Sequence, residues 1–163
     1  MNSIPQVTDP TQWLTITTGA WCYYNNDPAN ADTYGLLYNW YAVNDPRHLA
    51  PWGWHIPSAA EWAILSTCLG GNTVAGGKMK ETGTIHWQTP NVNATNSSGF
   101  SGLPSGFRYP DGVFSDNGKT TFWHSSTQHN IGSSENCNLA WYSGRLFMDY
   151  SNWSDGFHVR CVQ

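Results

Sequence analysis

The 163-residue sequence predicts an α+β domain, helical in its first half and built from antiparallel strands in its second. Three observations carry that reading. The first is a helix start at Pro57-Ser58-Ala59-Ala60-Glu61, where a serine stands three residues before a glutamate, the pattern of a capping box. The second is a series of short β-branched and aromatic runs after residue 100, punctuated by Asp111-Gly112 and Asn117-Gly118, both turn signals. The third is a length sufficient for one sizeable core, with no internal repeat and no linker to a second domain.

In chain order, residues 1–12 read as an N-terminal arm, and 13–163 as the folded, ligand-binding domain. Trp13–Tyr24 mixes β-branched and aromatic residues as one or two strands do, and Asn25–Thr33 is a loop marked by Asp27-Pro28. Tyr34–Val43 is apolar almost throughout, and Leu36, Leu37, Trp40 and Tyr41 suit a short buried helix. After a Pro- and Gly-punctuated turn at Asn44–Trp54, the capped helix carries Trp62, Leu65 and Leu69 at helical spacing and stops at Gly70-Gly71. Residues 72–82 read as a second short helix or loop, and 83–102 as a long surface loop with Trp87 as its anchor. Strands follow at Phe100–Leu103, Gly106–Tyr109, Val113–Ser115, Thr121–Ser126, Leu139–Met148 and Phe157–Val162.

Composition narrows the function. Charged residues are 11% of the chain, well under the roughly 25% of ordinary domains, and polarity is carried by 15 each of Asn, Ser and Thr. Seven basic residues against eleven acidic ones offer no phosphate-neutralising surface, which speaks against nucleic acid. No apolar run is long enough to span a membrane. The start, MNSIPQVTDP, has neither the basic nor the apolar region of a signal peptide. Ten tryptophans are heavy for an intracellular enzyme and suit an extracellular binding module, so the chain reads as a fragment of a cell-surface or virion protein. The four cysteines have no metal-binding spacing; they read either as buried thiols or with Cys22 and Cys161 paired.

The last quarter holds the candidate site. Between and around its two strand-like runs lie Tyr142, Ser143, Arg145, Phe147, Asp149, Tyr150, Asn152, Trp153 and Asp155. Large aromatics provide contact area at low entropic cost, and Ser, Asn and Asp adapt their hydrogen bonds to a partner. Tyr142, Phe147, Tyr150 and Trp153 are the expected anchors, with Tyr150 and Trp153 exposed together; Ser143, Arg145, Asp149, Asn152 and Asp155 are the expected polar contacts. Trp141 and Phe157 are expected in the core. His124 and His129 are expected at the same face, as contacts rather than ligands of a metal. His55 reads as structural, and Glu61 as the partner of Arg108 or Arg160 in a buried ion pair. No hydrolase, P-loop or dinucleotide pattern appears, and no EF-hand, so the expectation is no catalytic residue, no metal and no cofactor. The three Asn-x-Ser/Thr sequons, at Asn93, Asn96 and Asn152, read as accidents of an Asn-rich composition.

The string YGLLYNWYAVNDPRHLAPWGWHIPSAAEW, then GFSGLPSGFRYPDGVF, FWHSST, AWY and GFHVRCV, resembles the Fibrobacter succinogenes major paralogous domain over roughly residues 13–162. More remotely, the proline–acid–Trp helix and the closing Gly-Phe-x-Val-Arg resemble the formylglycine-generating-enzyme branch of the C-type lectin fold. The resemblance implies a C-type-lectin-like fold: two helices, a twisted antiparallel sheet and long irregular loops. It also implies kinship with variable proteins of diversity-generating retroelements, which carry their variable positions near the C-terminus and sit on phage tail tips or bacterial surfaces. The framework residues Trp123, Ser125, Ser126, Ala140, Trp141, Gly156, Phe157, Val159, Arg160 and Cys161 stand nearly intact. Between them, Gly144, Arg145, Phe147, Met148, Asp149 and Trp153 depart from the family's usual Asn, Tyr and Ser. Adenine changes in Asn codons yield Tyr, Ser, Asp, Gly, Phe or His, a set compatible with such diversification. The expected function is non-enzymatic recognition of a protein or glycan on a cell surface, with an oligomer compatible with the family. The alternatives are an invariant secreted adhesive or polysaccharide-binding module and a formylglycine-generating type of enzyme.

Overall fold

The computed structural model describes residues 3–163. It is a mixed α+β structure with one curled five-stranded sheet, a two-stranded ribbon and a few short helices. The helices are α1 (Pro10–Thr15), α2 (Ala31–Tyr34), α3 (Trp40–Val43), α4 (Ala59–Cys68) and α5 (Asn72–Met79). The ribbon pairs β1 (Trp21–Cys22) with β2 (Leu37–Tyr38). The main sheet contains β3 (Ser105–Arg108), β4 (Phe114–Asn117), β5 (Thr120–Asn130), β6 (Ser133–Ala140) and β7 (Phe147–Asn152), in the spatial order β4-β3-β5-β6-β7. Its pairs are antiparallel except β3 with β5, which meet in parallel at Gly106 and Thr121. The sheet is therefore mixed rather than wholly antiparallel.

The α4 capping box forms as its sequence dictates: Glu61 N donates to Ser58 Oγ at 3.3 Å, and Ser58 N donates to Glu61 Oε2 at 2.8 Å. His55 Nε2 lies 2.7 Å from Glu61 Oε1, so the partners of Glu61 are local and no arginine pairs with it. Together these hydrogen bonds hold the Glu61 carboxyl down at about 2. Trp62 of α4 packs with Met79 of α5, Trp87, Trp123, Cys137, Leu139 and Leu146 in the larger core, where Trp141 is partly buried. A smaller core gathers Val7, Trp13, Ala20, Cys22 and Leu37.

Several expected elements differ. Trp13–Tyr24 begins in α1, not in a strand, because Asp9 Oδ1 accepts from Gln12 N at 2.7 Å and Pro10 follows as a preset first helical residue. Tyr34–Val43 is not one helix. Gly35, at φ 76°, ends α2; Leu37–Tyr38 form β2; and buried Asn39 restarts the chain as α3 by accepting from Ala42 N at 3.1 Å. Phe100–Leu103 contributes a single bridge, Gly102 to Lys80, and Phe157–Val162 contributes three, to Tyr38, Trp123 and His55. Leu139–Met148 is not one strand: it holds the end of β6 and the start of β7, with a turn at 141–146 between them. All four cysteines are free thiols, and burial pushes Cys22 up to about 11.

The N-terminal residues are not a detached arm. Val7 is buried, and Gln6 bridges Trp21. The cause is Arg108, which has no exposed surface and no carboxylate partner. Its guanidinium donates to the carbonyls of Val7 (2.8 Å), Thr8 (3.0 Å) and Gly112 (3.1 Å), and lies 4.3 Å from the Trp13 ring centroid. A planar fork satisfied by carbonyls and stacked on indole does what the expected ion pair with Glu61 does not. The Lys ammonium cannot span three carbonyls arranged for that fork. Arg108→Lys should therefore lower the unfolding free energy by about 2–4 kcal/mol in urea titrations, although charge is conserved.

Candidate recognition surface

The turn from Trp141 to Leu146 is the site's foundation, and its backbone is tied from beneath. Trp141 N donates to Lys119 O, Val92 N to Trp141 O, Gly77 N to Gly144 O and Leu146 N to Asn72 O, each at 2.8 Å. Lys80, with no exposed surface, aims its Nζ at the carbonyls of Val92 (2.8 Å), Ser143 (2.9 Å) and Ala140 (3.1 Å). Three N–H donors meet three acceptors, so the geometry suits the ammonium; burial lowers its pKa to about 8, still above neutrality. The Trp87 ring lies 5.3 Å from that Nζ. Gly76 and Gly77 allow the approach: a Cβ on Gly76 would collide with the Arg145 carbonyl, and one on Gly77 with the Asn93 carbonyl.

On this fixed turn the side chains are free. Tyr142 and Arg145 are exposed and Phe147 half-buried; Arg145 lies 5.6 Å from the Phe147 centroid and Tyr142 lies 6.4 Å from it. Asp149 is exposed two residues further along β7. Alternation along the strand then divides the expected site. Met148 pairs with Cys137 and packs on the larger core, so Tyr150, opposite Glu135, shares that other face. There Tyr150 stacks on His129 at 4.1 Å, and His129 Nδ1 lies 2.6 Å from Glu135 Oε1. The expected residues thus form two clusters on opposite faces: Tyr142, Arg145, Phe147 and Asp149 on one, Tyr150 with His129 on the other.

Five expected contacts serve the structure instead. Trp153 is not an exposed anchor; it stacks on Trp40 at 5.0 Å and meets Tyr41 edge-on, while Trp40 N donates to its carbonyl at 2.8 Å. Asp155 is buried and shapes the following turn by accepting from Asn152 N at 2.9 Å, and burial pushes its carboxyl up to about 7. Asn152 is exposed, yet its Oδ1 caps Ser154 N at 3.0 Å. His124 has no exposed surface; its Nε2 lies 2.7 Å from the Tyr38 carbonyl, and its ring packs against Phe157. Ser143 also serves the turn, its Oγ accepting from Arg145 N at 3.1 Å. Among the described residues, no group of three or more His, Cys, Asp or Glu converges to hold a metal ion. Lys80, which underlies the whole surface, carries no sequence signal that sets it apart from Lys78 at the same helix end.

The family model described as the Fibrobacter succinogenes major domain matches residues 1–163, and the chain belongs to that family. No curated protein and no solved structure matches it.

Lys80→Met leaves three buried carbonyls without donors and should cost at least about 3 kcal/mol in chemical denaturation. Tyr142→Ala and Phe147→Ala should each cost about 1 kcal/mol or less in the same assay, since neither ring belongs to a core. A second expectation concerns acid. Burial pulls both His124 and His158 down from 6.5 to about 4, so the unfolded chain binds their protons first. Stability from this pair is complete above the unfolded value and is lost as pH falls from 6.5 through 4. Asp155 acts in the opposite sense, gaining as pH falls through about 7. Comparing the wild type with His124→Gln, which keeps a donor for Tyr38, removes that common contribution. The variant should lose less stability than the wild type between neutral and acidic urea titrations, the difference being the share of His124.

Proposed function

We propose that this domain is a non-catalytic recognition module of C-type-lectin-like fold, whose β6–β7 turn and β7 strand present exchangeable side chains to a protein or glycan on a cell surface. The carrying observation is the separation of labour at residues 140–147. The bonds that fix the turn are made by backbone groups and by Lys80, and those of Tyr142, Arg145 and Phe147 to the fold are few. Replacing such side chains removes no framework hydrogen bond, so sequence can vary while geometry stays preorganised. Tyr142 and Tyr150, at 59% and 56% exposure, supply large contact area. On this reading the domain is a diversity-generating-retroelement variable protein on a phage tail tip or bacterial surface. No helix among the described residues is long and apolar enough to cross a membrane.

The test is the DNA flanking the 3′ end of the gene. An adenine-rich near-copy should differ only at template adenines, with differences at the codons of Tyr142, Arg145, Phe147, Asp149 or Tyr150. The codons of Cys137, Leu139, Leu146 and Phe157 should be identical. Absence of a copy, or differences spread through the core codons, would remove the diversified reading and favour an invariant adhesive module.

A further inference from the structure

A roomy hollow lies away from β7. It measures 630 Å³, within the roughly 300–1,000 Å³ of small-ligand sites, and is lined by Asp45, Arg47, His48, Trp52, Trp54 and His55 among others. A turn closes it: Trp54 N donates to Pro51 O at 2.9 Å, and Gly53 sits at φ 81°, the conformation required at the third position of a type II turn. That turn places Trp52 at its tip with its surface 100% exposed, and leaves Trp54 47% exposed. The platform is nonetheless anchored, because His55 and Val162 exchange backbone hydrogen bonds at 2.8 and 2.9 Å. Two exposed indoles on one turn make an aromatic patch of the kind that marks an interaction site.

Beside the indoles stands a neutral polar fork. Arg47 Nε and Nη2 donate to Asp45 Oδ1 (2.7 Å) and Oδ2 (2.6 Å), and Nη1 donates to Ser3 O (2.9 Å). Asp45 Oδ1 also accepts from Arg47 N at 2.9 Å, which leaves the remaining guanidinium N–H groups and the second lone pair of Oδ2 unspent. A second hollow of 330 Å³ shares Arg47, His48 and Leu49 with the first and reaches Trp21 and Tyr38.

We propose that this double groove binds a neutral pyranose oligosaccharide. Indole faces take the C–H faces of sugar rings, and a charge-neutral pair of donors and acceptors takes adjacent hydroxyls, each of which both donates and accepts. Compensation of Arg47 by Asp45 disfavours an anionic ligand, and two hollows in series suit a chain of rings rather than one. The site does not depend on the β7 display.

The experiment titrates the domain with cellohexaose, xylohexaose and chitohexaose, followed by tryptophan fluorescence and calorimetry. At least one oligomer should quench and blue-shift emission. Trp52→Ala and Arg47→Ala should each weaken that binding by about tenfold or more, and Trp52→Tyr should retain most of it. Trp52→Ala should leave the melting temperature unchanged, and the surface controls Ile85→Ser and Ile131→Ser should bind as the wild type. No response to any of the three at millimolar concentration would overturn the proposal, as would a response undiminished in Trp52→Ala. Binding of a proline-rich peptide in place of the sugars, or Trp52-dependent dimerisation in sedimentation velocity, would overturn it too.

Discussion

The ammonium of Lys80 is the point on which the display half of the molecule rests. Burying a cation is costly, and here the cost is offset without a carboxylate, by three carbonyls and an indole face. Those carbonyls come from the loop before Asn93, from the end of β6 and from the turn beyond it. One side chain therefore reinforces from within a junction that the backbone bond from Val92 N to the Trp141 carbonyl closes from outside. Once it is closed, Gly76 and Gly77 of α5 can seat against the turn and the 93–95 loop, and Leu146 enters the larger core. The exposed residues owe their fixed positions to this arrangement beneath them and not to contacts with each other.

Arg108 repeats the solution at the other end of the sheet. It ties the N-terminal segment, α1 and the turn after β3 into the smaller core, again through carbonyls and an aromatic face. A chain with so few charges uses two of its seven cations where neither meets water. Between these anchors, Trp40 and Trp153 close the seam between α3 and the segment following β7. The aromatic richness is thus divided: most rings are mortar, and a few are left facing out.

Local chemistry made part of this legible in advance. The Ser58–Glu61 box, the Gly70-Gly71 stop and the turn at residues 110–112 depend on neighbours in sequence, and each appears where its residues indicate. Asp9-Pro10 was an equally local helix signal, obscured by the β-branched and aromatic run that follows it. What pattern alone did not reveal depends on distant partners. The burial of Val7 follows from an arginine a hundred residues away, and the break at Gly35–Asn39 follows from pairing with β1. The stretch 142–150 does hold the exposed Tyr142, Arg145, Asp149 and Tyr150, but a linear reading treats neighbours as companions. Strand alternation sends Asp149 and Tyr150 to opposite faces, and Trp153 looked exposed only because its partner, Trp40, lies far back in the chain.

The carbonyl-held cations have a consequence for the medium in which the fold persists. Salt weakens attraction between charges that water and ions can reach, and spares charge–dipole contacts sealed inside the protein. Among the described residues the internal scaffold contains no long-range ion-pair network to dissolve, and the surface ion pairs are few and local. Ionic strength accordingly has little purchase on this architecture, so the same shape is available in fresh water, brine or the crowded electrolyte of a gut.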